Sequence, residues 1–235
     1  MRYAIVDLEA TCWEKGGGPD RMEIIEIGAV RLEGAAGPVV GEFGAFVKPT
    51  ASPMLSDFCR QLTSIHQEDV DLAESFPAVF SRFLAWIGSE PIRICSWGAY
   101  DLNQFQRDCE RHGIALPGVF DGHINLKRAF SCWKSVKPLG MKGALAMLGL
   151  PLAGTHHRGM DDARNIAAIA RQLLPWLEQE AMEQEAVEQA EATCEQPAQS
   201  PGQADNPSNS AQVGDPPRKP HAQSSEASII VPREA

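Results

Sequence analysis

The sequence has little that would mark a secreted, membrane-spanning or zinc-binding protein. Its six cysteines include no C-x-x-C pair, and no Cys/His cluster has the spacing of a zinc site. The N-terminus lacks the charged-then-apolar pattern of a signal peptide, and there is no apolar run of about 18 residues that would span a membrane. We therefore expect a cytoplasmic protein with reduced thiols and no membrane partner.

The net charge of −10 is unevenly distributed along the chain. Residues 178–235 contain eleven acidic and three basic residues, whereas residues 1–177 contain 20 acidic and 18 basic residues. The first part is therefore close to neutral, and the acidic total does not argue against a polyanionic substrate.

Composition also divides the chain into a domain over residues 1–178 and an acidic tail over residues 179–235. Glu and Gln repeat through Thr193, so the last helix is expected to continue as a solvated helix. From Gln196 the chain is rich in Pro, Ser, Gln and Ala. Such a segment buries too little apolar surface to offset the entropy of ordering, so we expect it to be disordered.

The domain is predicted to be an α/β fold. Strands are predicted over Arg2–Leu8, Glu23–Leu32, Val39–Val47 and Pro91–Ser96. The first three form an antiparallel meander, with the first strand deep in the sheet. Helices are predicted after the N-cap Ser75, from Asp101 to Gly113, over Leu139–Leu148, and following the segment Thr155–Ala163 to about Leu177. Two short helical turns are expected over Pro53–Ile65, anchored by the apolar residues Leu55, Phe58, Leu62 and Ile65.

Two carboxylates follow the first predicted strand. Tyr3–Val6 is a β-prone apolar run typical of a buried central strand, and Asp7 and Glu9 interrupt its end. Residues two apart in a strand point to the same face, so these carboxylates lie side by side. A buried pair of ionised carboxylates is costly unless a cation neutralises it, and oxygen-only ligands suit Mg²⁺ or Mn²⁺. On these residues alone, a solvated acidic loop is the alternative.

Asp101 is a third acid beside an apolar strand, since it follows Ser96-Trp97-Gly98 at the start of a predicted helix. A helix dipole favours an acid in the first turn, so a capping role is the alternative here. A run of bases follows, at Lys127, Arg128, Lys134, Lys137 and Lys142, interleaved with Phe130 and Trp133. This run is either a solvated face or a surface that holds a nucleic-acid backbone.

The segment Thr155–Ala163 contains two histidines followed by two aspartates, which leaves the register open. Helical geometry places Asp162 on the apolar face of Ile166, Ile169 and Leu173, whereas Asp161 shares a polar face with Arg164. Asp162 is therefore predicted to be the buried carboxylate and the better metal ligand.

These segments together resemble the DEDDh group of 3′–5′ exonucleases, which have a ribonuclease H-like fold with a mixed central sheet flanked by helices. Asp7 and Glu9 match its first motif, Asp101 its second, and His157 to Ala163 its third. In the third motif a histidine precedes the metal-binding aspartate by five positions, which fits both histidine–aspartate pairs. Gly159 and Ala163 select His157 and Asp162. The resemblance covers about residues 1–175.

The resemblance is closer to the Eri1-like exoribonuclease subgroup. It is carried by the segments Asp7-Leu8-Glu9-Ala10-Thr11-Cys12, Leu55-Ser56-Asp57-Phe58-Cys59, Leu62-Thr63-Ser64-Ile65, Ser96-Trp97-Gly98 and Gly159-Met160-Asp161-Asp162. It implies a metal-dependent exonuclease that releases nucleoside 5′-monophosphates from a single-stranded 3′ end of RNA or DNA. A DNA-specific editing exonuclease and a non-catalytic nucleotide- or protein-binding regulator are the alternatives.

The resemblance also implies roles for individual residues. Two divalent ions, Mg²⁺ or Mn²⁺, would be held by Asp7, Glu9, Asp101 and Asp162, while His157 would accept a proton from the attacking water. The terminal nucleotide would contact the backbone at Ala10 and Thr11, with Leu62 wedged against its base and Trp97 stacked nearby. Core packing is the alternative role for these substrate-binding residues.

Overall fold

This computed structural model of the protein describes the backbone of residues 1–194 and the side chains of residues 1–188. The last helix continues past residue 178 to Cys194, as the Glu/Gln repeat predicts. The disorder expected from Gln196 onward lies outside the described residues. Within residues 1–194, no helix combines the length and the apolar character needed to cross a membrane.

A five-stranded mixed sheet forms the centre of the described part. Its strands are β1 Arg2–Ala10, β2 Ile24–Leu32, β3 Val39–Phe46, β4 Ile92–Ser96 and β5 Ile124–Asn125. They lie in the order β3-β2-β1-β4-β5, with β1 antiparallel to β2 and parallel to β4. The predicted α/β class and the meander with a central first strand are confirmed.

Seven helices are described along residues 1–194. They are α1 Asp57–Thr63, α2 Gln67–Asp71, α3 Phe76–Ile87, α4 Tyr100–Arg111, α5 Leu126–Lys134, α6 Met141–Met147 and α7 Gly159–Cys194. Short 3₁₀ turns occupy Pro19–Arg21 and Gly118–Phe120. One predicted core anchor is wrong, since Phe58 is 38% exposed. The buried face of α1 passes through Cys59 and Thr63, four residues apart, which turns the Phe58 side chain outward.

The alternation of β1 divides the core into two layers. Tyr3 and Ile5 pack against one set of helices, which includes α5 and α7. Ala4, Val6 and Leu8 point to the other face and pack against the phenylalanines of α3 and α4. By the same period of two, Asp7 and Glu9 continue the face that α7 covers. The strand therefore carries its two carboxylates directly to the N-terminus of α7.

Candidate active site

The predicted metal ligands meet in one cavity of about 340 Å³. Asp7 and Glu9 reach it from the end of β1, Asp101 from the first turn of α4, and Asp162 from the first turn of α7. His157 also lines this cavity. The fold thus brings together five side chains that are up to 155 positions apart in sequence.

The first turn of α7 buries Asp162 and leaves Asp161 half-buried, as the helical periodicity predicts. Asp162 is 4% exposed, and its Oδ2 accepts a hydrogen bond from the backbone N–H of His157 at 2.9 Å. Asp161 is half-buried, accepts a hydrogen bond from the backbone of Thr155, and pairs with Arg164. Asp162 therefore faces the cavity, whereas Asp161 secures the preceding loop.

Asp101 has a role other than capping its helix. The N-cap residue of α4 is Ala99, while the Asp101 carboxylate accepts a hydrogen bond from the backbone N–H of Leu8 at 3.0 Å. Asp101 is only 5% exposed. The bond ties the start of α4 to the end of β1, between Asp7 and Glu9.

Burial raises the pKa of Asp7, Glu9 and Asp101 in the cavity. The pKa of Asp7 lies well above its ordinary range because of burial and the charges of Asp101, Glu9 and Asp162. Burial and the neighbouring Glu26 raise the pKa of Glu9 to about 8. Burial raises the pKa of Asp101 to about 6, against the hydrogen bonds from Leu8 and Ser96. The surrounding protein therefore favours the protonated form of these carboxyls, and a bound cation would be needed to hold them ionised at neutral pH.

The donor set fits a hard divalent cation. Asp7, Glu9 and Asp162 each offer one carboxylate oxygen, and these oxygens lie within 4.8 Å of one another. The buried Oδ1 of Asp162 has no hydrogen-bond partner. A buried anionic oxygen without a donor is costly, and a cation bound by an oxygen-only cluster removes that cost.

Both histidines of the third motif lie at the cavity, and sequence reasoning found a role for only one. His157 has a left-handed backbone with φ of 63°, and burial and the adjacent His156 lower its pKa. The centroids of the His156 and His157 rings are 3.9 Å apart with the ring planes tilted by 31°, and Nδ1 of His156 lies 2.8 Å from Oδ2 of Asp162. The adjacent pair of histidines in the sequence could have indicated this contact. The five-residue spacing of the motif, however, pairs His156 with Asp161 and not with Asp162.

Glu26 is a second site residue that sequence reasoning missed. It is 4% exposed on β2 and lies opposite Glu9 in the sheet register. Its carboxylate accepts hydrogen bonds from the backbone N–H of Gly159 at 3.0 Å and from the Arg158 side chain at 3.2 and 3.3 Å. Glu26 therefore fixes the N-terminus of α7 on the sheet. A charged residue inside the apolar run Ile24–Ile27 was the available signal.

A close backbone contact completes this junction. A Cβ atom added at Gly28 would lie 2.0 Å from the carbonyl carbon of Gly159, so only glycine allows α7 to approach β2 this closely. The approach places Asp162, three residues further along α7, beside the carboxylates of β1.

Of the predicted substrate-binding residues, the structure brings three to the cavity. Ala10, Leu62 and Trp97 line it, and the Trp97 indole N–H donates to the carbonyl of Leu139 at 3.1 Å. Thr11 is not part of the lining: its hydroxyl accepts a hydrogen bond from Glu23 N–H, and its own N–H donates to the Glu23 carbonyl. The cavity adds the apolar residues Leu8, Met22, Tyr100, Met141 and Ile166.

The predicted basic run lies partly at the rim of this cavity. Gly140 and Met141 line the cavity, and the exposed Lys142 follows them directly. Lys137 is exposed on the loop before them, and the ammonium group of Lys134 lies 3.5 Å above the Trp133 ring. Within the described side chains, none of the five bases forms a salt bridge. These cations are therefore available to a polyanion.

Comparison with known proteins identifies the family of the chain. A family model described as Exonuclease (RNase_T) matches residues 4–170. A mouse protein named ERI1 exoribonuclease 2 is 33% identical over 192 residues, covering 72% of this chain and 28% of that protein. The 3′-5′ exonuclease Snipper of Drosophila melanogaster is 31% identical over 185 residues, and the match covers 70% of this chain and 66% of Snipper. The chain thus spans about a third or less of the length of the relatives named ERI1 exoribonuclease 2.

A crystallographic structure supports the same assignment of the fold. The nuclease domain of 3′hExo, a DEDDh family member bound to rAMP, superposes with a TM-score of 0.70 and 30% identity, covering 74% of this chain and 92% of that chain. The ribonuclease H-like fold and the resemblance to DEDDh proteins are confirmed. Because the family match spans Asp7 to Asp162, the chain belongs to the exonuclease family and stands close to its Eri1-like DEDDh members.

Proposed function

We propose that this protein is a 3′–5′ exonuclease that removes nucleoside 5′-monophosphates from the single-stranded 3′ end of a nucleic acid, with RNA as its preferred substrate. One observation carries the proposal. Carboxylate oxygens of Asp7, Glu9 and Asp162 converge within 4.8 Å in a cavity that His157 also lines. This arrangement combines a site for hard cations with an adjacent general base.

The cation site would be built by Asp7, Glu9, Asp101 and Asp162, with two Mg²⁺ or Mn²⁺ ions as the proposed occupants. Bound divalent ions would stabilise negative charge on the attacking and leaving oxygens of the phosphodiester. The protein contributes the rigid placement of the ligands. Asp101 is held by Leu8 and Asp162 by the backbone of His157, so neither carboxylate has to reorganise when the substrate binds.

His157 is proposed as the general base. Its pKa is lowered by burial and by the charge of His156, so the imidazole is neutral at neutral pH and can accept a proton from the attacking water. Lys142 lowers the pKa of His157 further, which favours release of that proton after the reaction. The bond from the His157 backbone N–H to Asp162 holds this part of the loop beside the proposed cation site.

The walls and the rim of the cavity suit an unpaired 3′ nucleotide. Leu62 and Trp97 line the cavity and would present apolar surface to a base, and Ala10 would bring the end of β1 close to the sugar. Contacts of this kind tolerate every base, so we expect little sequence specificity. Lys137 and Lys142 would attract the phosphates that precede the terminal nucleotide.

The preference for RNA rests on similarity. The mouse relative is named an exoribonuclease, and the 3′hExo nuclease domain was crystallised with a ribonucleotide, rAMP. This preference can fail without the proposed reaction failing, because the preference comes from similar proteins and the reaction from the geometry of the cavity. RNA and DNA substrates of one sequence distinguish them.

The experiment compares 5′-labelled single-stranded RNA and DNA of one sequence, in Mg²⁺ and in Mn²⁺. We expect a ladder that shortens from the 3′ end, faster on RNA, with nucleoside 5′-monophosphates as products. The variant His157→Asn should lose the ladder, because asparagine tolerates the left-handed backbone but cannot act as the base. His66→Asn, which changes an exposed histidine outside the cavity lining, is the matched control.

Equal rates on both substrates would refute the RNA preference alone. Tight nucleotide binding by the wild-type chain without turnover in either metal would refute the exonuclease and support a binding role.

A further inference from the structure

His156, His157 and Asp162 form a second group of possible metal ligands. Each residue offers one ligand atom, and these atoms lie within 4.8 Å of one another. Nδ1 of His156 is 2.8 Å from Oδ2 of Asp162, while Oδ1 of the same buried carboxylate has no hydrogen-bond partner. The group faces the cavity, so an ion can enter from solvent.

The chemistry of this group differs from that of the oxygen cluster beside it. Two imidazoles and one carboxylate are the ligand set of open zinc sites, where a fourth position holds water. Ligand atoms of tetrahedral zinc lie about 3.3 Å apart, as follows from metal–ligand distances of about 2.0 Å. The His156–Asp162 pair is already that close, and rotation of the His157 ring would complete the set. Mg²⁺ binds imidazole poorly, so the two ligand sets select different ions.

We propose that His156, His157 and Asp162 bind a borderline transition-metal ion such as Zn²⁺, and that this ion competes with the exonuclease site. The competition follows from shared residues. A zinc ion would engage the Asp162 carboxylate that the oxygen cluster needs and the His157 ring that is proposed as the base. The inhibitory part rests on the proposed function, whereas the binding part stands on the ligand geometry alone.

The binding part is tested with Co²⁺ as a spectroscopic probe and with Zn²⁺ in calorimetric titration of the full chain. The wild-type chain should show visible Co²⁺ absorption bands and bind Zn²⁺ at one site of highest affinity. His156→Ala and His156→Gln should each weaken Zn²⁺ binding at least about tenfold, since even partners outside the ligand set cost 10–100-fold when lost.

Two further variants locate the site. Glu9→Gln, which changes only the oxygen cluster, should keep the Co²⁺ bands, and the matched histidine control His66→Ala should keep them as well. Unchanged Zn²⁺ affinity in both His156 variants would overturn the proposal, as would loss of the bands in Glu9→Gln. Circular dichroism of each variant separates loss of the site from loss of the fold.

The inhibitory part is tested by adding Zn²⁺ to the exonuclease reaction at fixed Mg²⁺, with each variant compared with its own rate before zinc is added. We expect the Zn²⁺ concentration for half-inhibition to rise about tenfold in His156→Ala. An unchanged value would refute the competition. If the wild-type chain does not degrade nucleic acid at all, the proposed function fails, while the Co²⁺ spectra still decide whether the metal site exists.

Discussion

The pKa of Glu9 predicts an unusual pH dependence for the metal-free protein. Burial and Glu26 raise this pKa from its ordinary 4.5 to about 8, so the folded state binds a proton that the unfolded state has already released. The resulting stability is fully present below about pH 4.5 and is lost as the pH rises toward 8. At about 1.4 kcal/mol per pH unit, the loss at pH 8 is roughly 4 kcal/mol. Asp7 and Asp101 act in the same direction.

The variant Glu9→Gln isolates this contribution. Without the ionisable group, the metal-free variant should unfold at a higher temperature than wild type at pH 8, by roughly 10 °C for a domain of this size, and at a similar temperature at pH 4.5. Thermal unfolding in a chelating buffer from pH 4.5 to 8 measures the difference, with the exposed Glu14→Gln as control. Adding Mg²⁺ at pH 8 should stabilise the wild-type protein more than the variant.

A wild-type midpoint that rises with pH in the absence of metal would contradict a raised pKa at Glu9, as would a Glu9→Gln protein that is less stable than wild type at pH 8. Either result would mean that Glu9 is neutralised by the protein itself.

Three further predictions concern the base, the helix junction and the rim. His157→Asn should lower kcat by about 10²–10⁴ with little change in KM, because proton transfer and not binding is lost; a parallel rise in KM would argue against a base. Glu26→Gln should lower the free energy of unfolding by about 1–3 kcal/mol in urea titrations, since it breaks the charged contact to Arg158; unchanged stability would show that the backbone contact suffices. The double change Lys137→Ala and Lys142→Ala should reduce the slope of log affinity against log salt by about 1.4 for single-stranded RNA and leave a dinucleotide unaffected, whereas a charge removed at the exposed Arg171 should leave the slope unchanged.

Much of the site could be predicted because the periodicity of polar and apolar residues within a single strand or helix can be read directly from the sequence. The period of two in β1 puts Asp7 and Glu9 on one face, and the period of 3.6 in α7 separates Asp162 from Asp161. The first four strands and the helices α3, α4 and α6 were predicted to within about two residues of their observed ends for the same reason, whereas α2 was not predicted.

Contacts between distant segments could not be read from periodicity. Glu26 binds Gly159 across 133 positions, and no local pattern indicates that a buried acid in β2 will find donors at a helix N-terminus. Thr11 was expected at the nucleotide, but its backbone is already paired with Glu23. The ring of His156 reaches Asp162 because the chain takes a left-handed turn at His157, a conformation that no spacing rule specifies.

The carboxylate cluster and His157 are proposed to form one exonuclease site. The most direct measurement follows 5′-labelled single-stranded RNA in Mg²⁺ with the wild-type chain and with the nearly isosteric variant Asp7→Asn, resolving each product length over time. We expect stepwise shortening from the 3′ end for the wild-type chain and intact RNA for the variant. Equal shortening by both proteins, or none by either, would contradict it.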